Sequence, residues 1–200
     1  MARPAPPAST RRTQAERRAS SVERITNATL EILAESGYSA TTIEGVAERA
    51  GTSRGGILHY FPTKVEMVVA AMDRAREDSI ALVEEAAQTL PTGPGRTEAA
   101  LDFLYERGRS QDFAATVAIQ IGLGDRLEPP ELRVAVRRLQ DDFSEVAPTL
   151  FEVPESAALN KAIQMLIATL RGMALVGQGG DYQGHWPYIR GRLAEIIENP

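Results

Sequence analysis

Ser53-Arg54-Gly55-Gly56 is the stretch of this 200-residue chain whose residue types and order could do specific chemistry. Ser53 is a helix-capping residue, so the N–H groups that follow it stay available to an anion such as a phosphate. Arg54, in the first turn of that helix, is placed to fork onto a guanine edge or a phosphate. Gly55 and Gly56 each cost a short helix about 1 kcal/mol against alanine. Two in a row point to a backbone that something approaches closely, either DNA or a neighbouring helix. Other chemistries have less to draw on. The chain has no cysteine, which excludes disulfides, thiolate metal sites and cysteine nucleophiles, and only two histidines, His59 and His185. No Ser/His/Asp set and no glycine-rich phosphate loop beside a strand is visible. The expectation is therefore a binding protein with no metal and no cofactor, not an enzyme.

The elements that would position Arg54 are legible around it. Thr41-x-x-Glu44 is a capping-box pattern opening a short helix with Ile43, Val46, Ala47 and Ala50 inward. Gly51 ends that helix, Ser53 caps the next, and Ile57 and Tyr60 anchor it until Phe61-Pro62 breaks it. Two short helices joined by a glycine-bearing turn are the layout of a helix-turn-helix, whose second helix enters the major groove. Upstream, Val22, Ile25, Thr29, Ile32 and Leu33 share one helical face that stops at Gly37. Downstream, Thr63-x-x-Glu66 opens a long helix from Lys64 to about Gln88, and Pro91-Thr92-Gly93-Pro94-Gly95 reads as a linker. Helices over about 97–108, 111–123, 130–146, 155–177 and 186–198 follow, the fourth broken by Gly179-Gly180. The fold class is all-α, with about nine helices.

Charge divides the chain in the same way. The net charge is −5, but residues 1–64 carry nine basic and six acidic side chains, a surplus of +3. The remaining 136 carry −8. A basic end on an acidic body suits a nucleic-acid-binding head beside a second domain. Three parts are expected: a disordered basic arm over 1–18, a helix-turn-helix domain over 19–64, and a helical domain over 65–200. In the arm, Arg11, Arg12, Arg17 and Arg18 either add phosphate or minor-groove contacts or only solubilise. The first ten residues lack the apolar core of a secretory signal, and no run is long enough to span a bilayer, so a cytoplasmic protein with no membrane partner is expected.

Residues 22–72 resemble the DNA-binding domain of the TetR (tetracycline-repressor) family of bacterial regulators. The resemblance rests on Ile25-x-x-Ala28-x-x-x-x-Leu33, Gly37-Tyr38-x-x-Thr41-Thr42-Ile43, Val46-Ala47-x-x-Ala50-Gly51-x-Ser53 and Ile57-x-His59-Tyr60-Phe61-Pro62-x-Lys64, all in register. It implies a three-helix head, an all-α ligand-binding body, and a homodimer joined through its last two long helices. Carried over by position, it implies phosphate contacts from Thr41 and Thr42 and base reading by Ser53, Arg54, Gly55 and Gly56. Further phosphate contacts would come from His59, Tyr60 and Lys64. Gly56 and Leu58 stand where the family often has Thr and Tyr, so an operator sequence does not carry over.

In the body, the helix over 155–177 has two apolar stripes, Leu159/Ile163/Leu166/Leu170 and the smaller Ala158/Ala162/Met165/Thr169/Gly172. One would face the core and the other a partner chain. Candidates for a pocket are Phe103, Tyr105, Phe113, Gln120, Leu123, Phe143, Gln164 and Met165, each of which could equally be ordinary core. His185 and Trp186 are expected to cap and pack the last helix. The function these readings favour is a repressor that binds double-stranded DNA at a palindromic operator as a homodimer and is released by a small apolar or amphipathic effector. The alternative is a DNA-binding regulator without such an inducer, acting as an activator or through a protein partner.

Overall fold

A computed structural model of the chain describes residues 13–123, 129–176 and 183–199. Every regular element among them is helical: α1 Gln14–Ala40, α2 Ile43–Arg49, α3 Arg54–Tyr60, α4 Lys64–Thr89, α5 Arg96–Arg107, α6 Gln111–Leu123, α7 Pro130–Phe151, α8 Ala157–Val176 and α9 Trp186–Glu198, with a 3₁₀ turn at Gln183–His185. Arg11, Arg12 and the Gly179-Gly180 break lie outside the described residues. No described helix is long and apolar enough to cross a membrane.

Local sequence explains most of the boundaries. The Thr13 hydroxyl accepts from the Glu16 N–H at 3.2 Å, and the Glu16 carboxylate accepts from the Thr13 N–H at 2.7 Å. This reciprocal cap starts α1 at Gln14. Arg17 and Arg18 therefore stand on a helix, which corrects the disordered arm expected to run to residue 18. Gly37 adopts φ 76°, a left-handed conformation that ends the regular part of α1. The cap of α2 lies one residue later than the sequence pattern suggests: the Thr42 hydroxyl, not that of Thr41, accepts from the Gly45 N–H at 3.0 Å. Ser53 caps α3 through the Gly56 N–H at 3.0 Å, and Thr63 caps α4 through the Glu66 N–H at 3.1 Å. Helix α7 continues to Phe151, five residues past expectation, running through Pro148.

Three apolar clusters stack along the molecule. The head core joins Ile25 and Ala28 of α1, Val46 and Ala47 of α2, Ile57 of α3 and Met67 of α4. A middle cluster packs Leu30 and Leu33 of α1 against Val68 and Ala71 of α4, Ala115 and Ile119 of α6, and Leu132 and Val136 of α7. The body core gathers Leu101, Leu104, Leu150, Phe151, Leu159, Leu166, Trp186 and Leu193. Helix α4 feeds all three clusters, through Met67, then Val68 to Ala75, then Val83 and Ala86. The head is thus bolted to the body by a shared core rather than tethered to it.

One buried cation closes the far end. Arg96, 3% exposed, donates to the carbonyls of Ala87 (2.7 Å), Leu90 (2.9 Å) and Leu150 (2.8 Å). These are the orphan carbonyls at the C-terminal ends of α4 and α7, where a positive charge also meets the negative end of each helix dipole.

Candidate functional site

The turn between α2 and α3 is set by Gly51 at φ 63°, and Ala47, Ala50 and Ile57 close the angle between the two helices. Arg24 of α1 donates to the Ala50 carbonyl at 3.2 Å and pins that turn. With Ile57 buried, the opposite face of α3 is turned to solvent. Ser53, Arg54, Gly55 and His59 are exposed, and Gly56 and Tyr60 are partly exposed.

The Arg54 guanidinium lies 2.8 Å from the Glu44 carboxylate, with both side chains about two-thirds exposed. An ion pair so open to water is worth little, so Glu44 holds Arg54 only loosely. The two glycines differ. A Cβ on Gly56 would stand 2.6 Å from Thr52 Oγ1, so a larger residue there must turn the Thr52 side chain aside. A Cβ on Gly55 would meet nothing closer than 3.9 Å, so the folded chain places no such demand there. His59 stands edge-on to Tyr60, with ring centroids 5.0 Å apart, and the Arg18 guanidinium lies 6.0 Å from the Tyr60 ring centre. Arg18 thus extends the α3 surface through α1.

Lys64, at the start of α4, donates to the Tyr38 carbonyl at 2.5 Å and sits 4.0 Å from the centre of the Tyr38 ring. Burial pushes its pKa down. Thr42 is exposed at the start of α2. Thr41 is different: it is fully buried, and its hydroxyl donates to the Gly37 carbonyl at 2.9 Å. Its side chain braces the end of α1 and does not face solvent, which corrects its expected contact with phosphate. Arg49 is also committed, to Glu35 at 2.8 Å and Glu31 at 3.3 Å, and those carboxylates hold its pKa up.

The body holds a cavity of about 120 Å³ between α4, α5, α6, α7 and α8. Phe113 and Phe143 line it. Phe103, Tyr105, Gln120, Gln164 and Met165 do not. Tyr105 is buried in a stack on Trp186, with ring centroids 4.3 Å apart, and Phe103 packs on the body core. Gln120 is partly exposed away from the cavity, while Gln164 and Met165 are exposed on the outer face of α8. The side chain of Leu123 lies outside what is described. The sequence reading missed the cavity's charged lining, Arg76, Arg107, Asp112 and Arg171. Trp186 packs as expected and also donates to Asp102 at 2.6 Å, beside Arg190.

The fold and the exposed α3 define a helix-turn-helix protein with a cavity-bearing helical body. Comparison with known proteins agrees. The family model described as "Bacterial regulatory proteins, tetR family" matches residues 25–71. The chain is 43% identical over 63 residues to the HTH-type transcriptional regulator CymR of Pseudomonas putida, covering 32% of this chain and 31% of that protein. It is 42% identical over 74 residues to the HTH-type transcriptional repressor KstR of Mycolicibacterium smegmatis, covering 37% and 34%. The matches span about a third of the length of these relatives. The fold extends further: a TetR-family regulator from Agrobacterium tumefaciens superposes with a TM-score of 0.70 at 15% identity, covering 90% of this chain and 98% of that one. FadR of Bacillus subtilis, solved in complex with stearoyl-CoA, superposes with a TM-score of 0.66 at 19% identity, covering 88% and 98%. Residues 25–71 are thus similar to the tetR family of bacterial regulatory proteins, and the fold of the chain is that of its solved neighbours.

Proposed function

We propose that this protein is a ligand-responsive transcriptional repressor that binds a palindromic DNA operator as a homodimer and leaves it when a small apolar or amphipathic effector fills the body cavity. The observation that carries this reading is the solvent-facing side of α3, where Arg54, Gly55 and His59 stand clear while Ile57 anchors the helix beneath them. Arg54 would exchange Glu44 for a base edge or phosphate, and Lys64 has ammonium protons beyond the one given to Tyr38. The repressor assignment takes support from KstR, a named repressor, through a match confined to the head region.

Coupling would run through the middle cluster. Ala75 of α4 and Thr116 and Val117 of α6 line the cavity, and their neighbours Ala71, Ala115 and Ile119 pack on α1. An occupant that shifts α4 or α6 would carry the head with it and favour a head spacing that cannot span two major grooves, about 34 Å apart.

The dimer reading rests on the outer faces of α8 and α9. Leu159, Ile163, Leu166 and Leu170 point into the core, while Met165 and Leu175 are 46% and 57% exposed, as is Tyr188 of α9 at 74%. Ala162, expected on the outer stripe, is buried inward. Among the described residues nothing lies within 4 Å of a Cβ built on Gly172 or Gly191, which leaves room for close helix packing by a second copy. The test is mobility of DNA from upstream of the protein's own gene, with and without candidate effectors. Specific retardation that an effector reverses is expected, and no preference for that DNA over scrambled sequence would overturn the reading.

A further inference from the structure

The body cavity carries one positive charge that no described residue answers. Three arginines line it. Arg76 is bonded to Asp142 and lies 3.8 Å from Asp73. Arg107 donates to the Ser79 hydroxyl at 3.2 Å and stands 4.0 Å from Asp112, the acidic group on the lining. Arg171, on α8, has no hydrogen bond or ion pair among the described residues. It is only partly exposed, and burial pushes its pKa down. A guanidinium remains protonated under such conditions, so its partial burial carries a desolvation cost that no described side chain offsets.

The rest of the lining is apolar, with Phe113, Leu139, Phe143 and Leu166 prominent. At about 120 Å³ the cavity is somewhat smaller than an engineered apolar cavity of about 150 Å³ that admits benzene. It has room for a body of about six carbons. A neutral occupant would bury Arg171 further without compensation, and a cation would be repelled. A carboxylate matches the guanidinium fork with two parallel hydrogen bonds. One unmatched positive charge calls for one negative charge rather than the two of a phosphate monoester.

We propose that the cavity binds a small monocarboxylate, its apolar body against Phe113 and Phe143 and its carboxylate on the Arg171 guanidinium. This names the ligand class of the effector site assigned above and rests on that reading. Titration calorimetry on the full chain tests it with benzoate and hexanoate, the neutral amides benzamide and hexanamide, and the amines benzylamine and hexylamine. The carboxylates are expected to bind at least tenfold more tightly than the amides or amines. R171Q should lose at least tenfold in carboxylate affinity with amide binding unchanged, and R171K, which keeps the charge but not the fork, should fall between. Amides or amines binding as well as carboxylates, no carboxylate binding, or carboxylate affinity unchanged in R171Q would each overturn the proposal. DNA release identifies which reading fails. Release by the amides but not the carboxylates overturns the ligand class and leaves the effector role standing. Carboxylate binding that depends on Arg171 but leaves DNA affinity unchanged upholds the ligand class and counts against the effector role.

Discussion

Arg54 and Gly55 stand side by side at the start of α3, and each separates fold from function in its own way. The Arg54–Glu44 pair is exposed, so Arg54→Ala should leave the melting temperature within about a degree or two while weakening specific DNA binding by roughly 5- to 150-fold, the range for losing a bidentate base contact. Thermal melts beside anisotropy titrations check both halves. Gly55 has space for a methyl group, so Gly55→Ala should stabilise the fold by up to about 1 kcal/mol through helix propensity. If DNA approaches the backbone there, the same variant should bind the operator less well. Stabilisation with undiminished binding would show that Gly55 serves no DNA approach. Gly56→Ala should stabilise less than Gly55→Ala, because its Cβ meets the Thr52 hydroxyl at 2.6 Å and that side chain must turn aside. The order of capping and anchoring residues made these positions readable in advance. What the pattern could not convey was that Thr41 points inward: two adjacent threonines can each cap a helix, and only the Gly37 turn decides which one is buried.

At the scale of elements, Lys64 ties the start of α4 to the end of α1 and also faces the expected phosphate backbone. Its lowered pKa has a definite sign. The folded protein sheds this proton at a lower pH than a free lysine would, so fold stability carries the desolvation cost in full below the lowered value. That cost is relieved as pH rises through the lowered value toward 10.5. DNA affinity should fall in that same window, and the fall should be absent in Lys64→Arg. At neutral pH, Lys64→Ala should weaken binding to all sequences alike and reduce the salt slope by about one. Helices α6 and α9 have the bounds read from their patterns, 111–123 and 186–198. Helix α7 overran its expected end because Pro148 normally argues for a break, and Arg96 holds the last carbonyls that follow it. Arg96→Met should cost about 3 kcal/mol or more, readable in urea melts, since several buried carbonyls would lose their donor at once.

For the whole molecule, the cluster joining α1 to α4, α6 and α7 makes head and body one mechanical unit. The boundary expected at residue 64 marks a change of charge rather than a break in packing. The cavity was less legible than the head for a physical reason. The helix-turn-helix is local, confined to about fifty consecutive residues, whereas the cavity draws scattered side chains from five helices. Single-helix patterns signal an apolar face but not which aromatic on it borders empty space. Tyr105 and Phe143 look alike in sequence, yet one is stacked on Trp186 and the other lines the cavity.

The central claim, that α3 reads DNA on behalf of this body, is tested most directly by anisotropy titrations of the full-length protein. Wild type and Arg54→Ala would be compared on DNA from upstream of the protein's own gene and on a scrambled duplex, at two salt concentrations. Wild type should prefer the upstream DNA by about 10³-fold or more. Arg54→Ala should lose much of that preference while keeping a salt-dependent residual affinity for both duplexes. Equal preference in the two proteins, or none in wild type, would contradict the account.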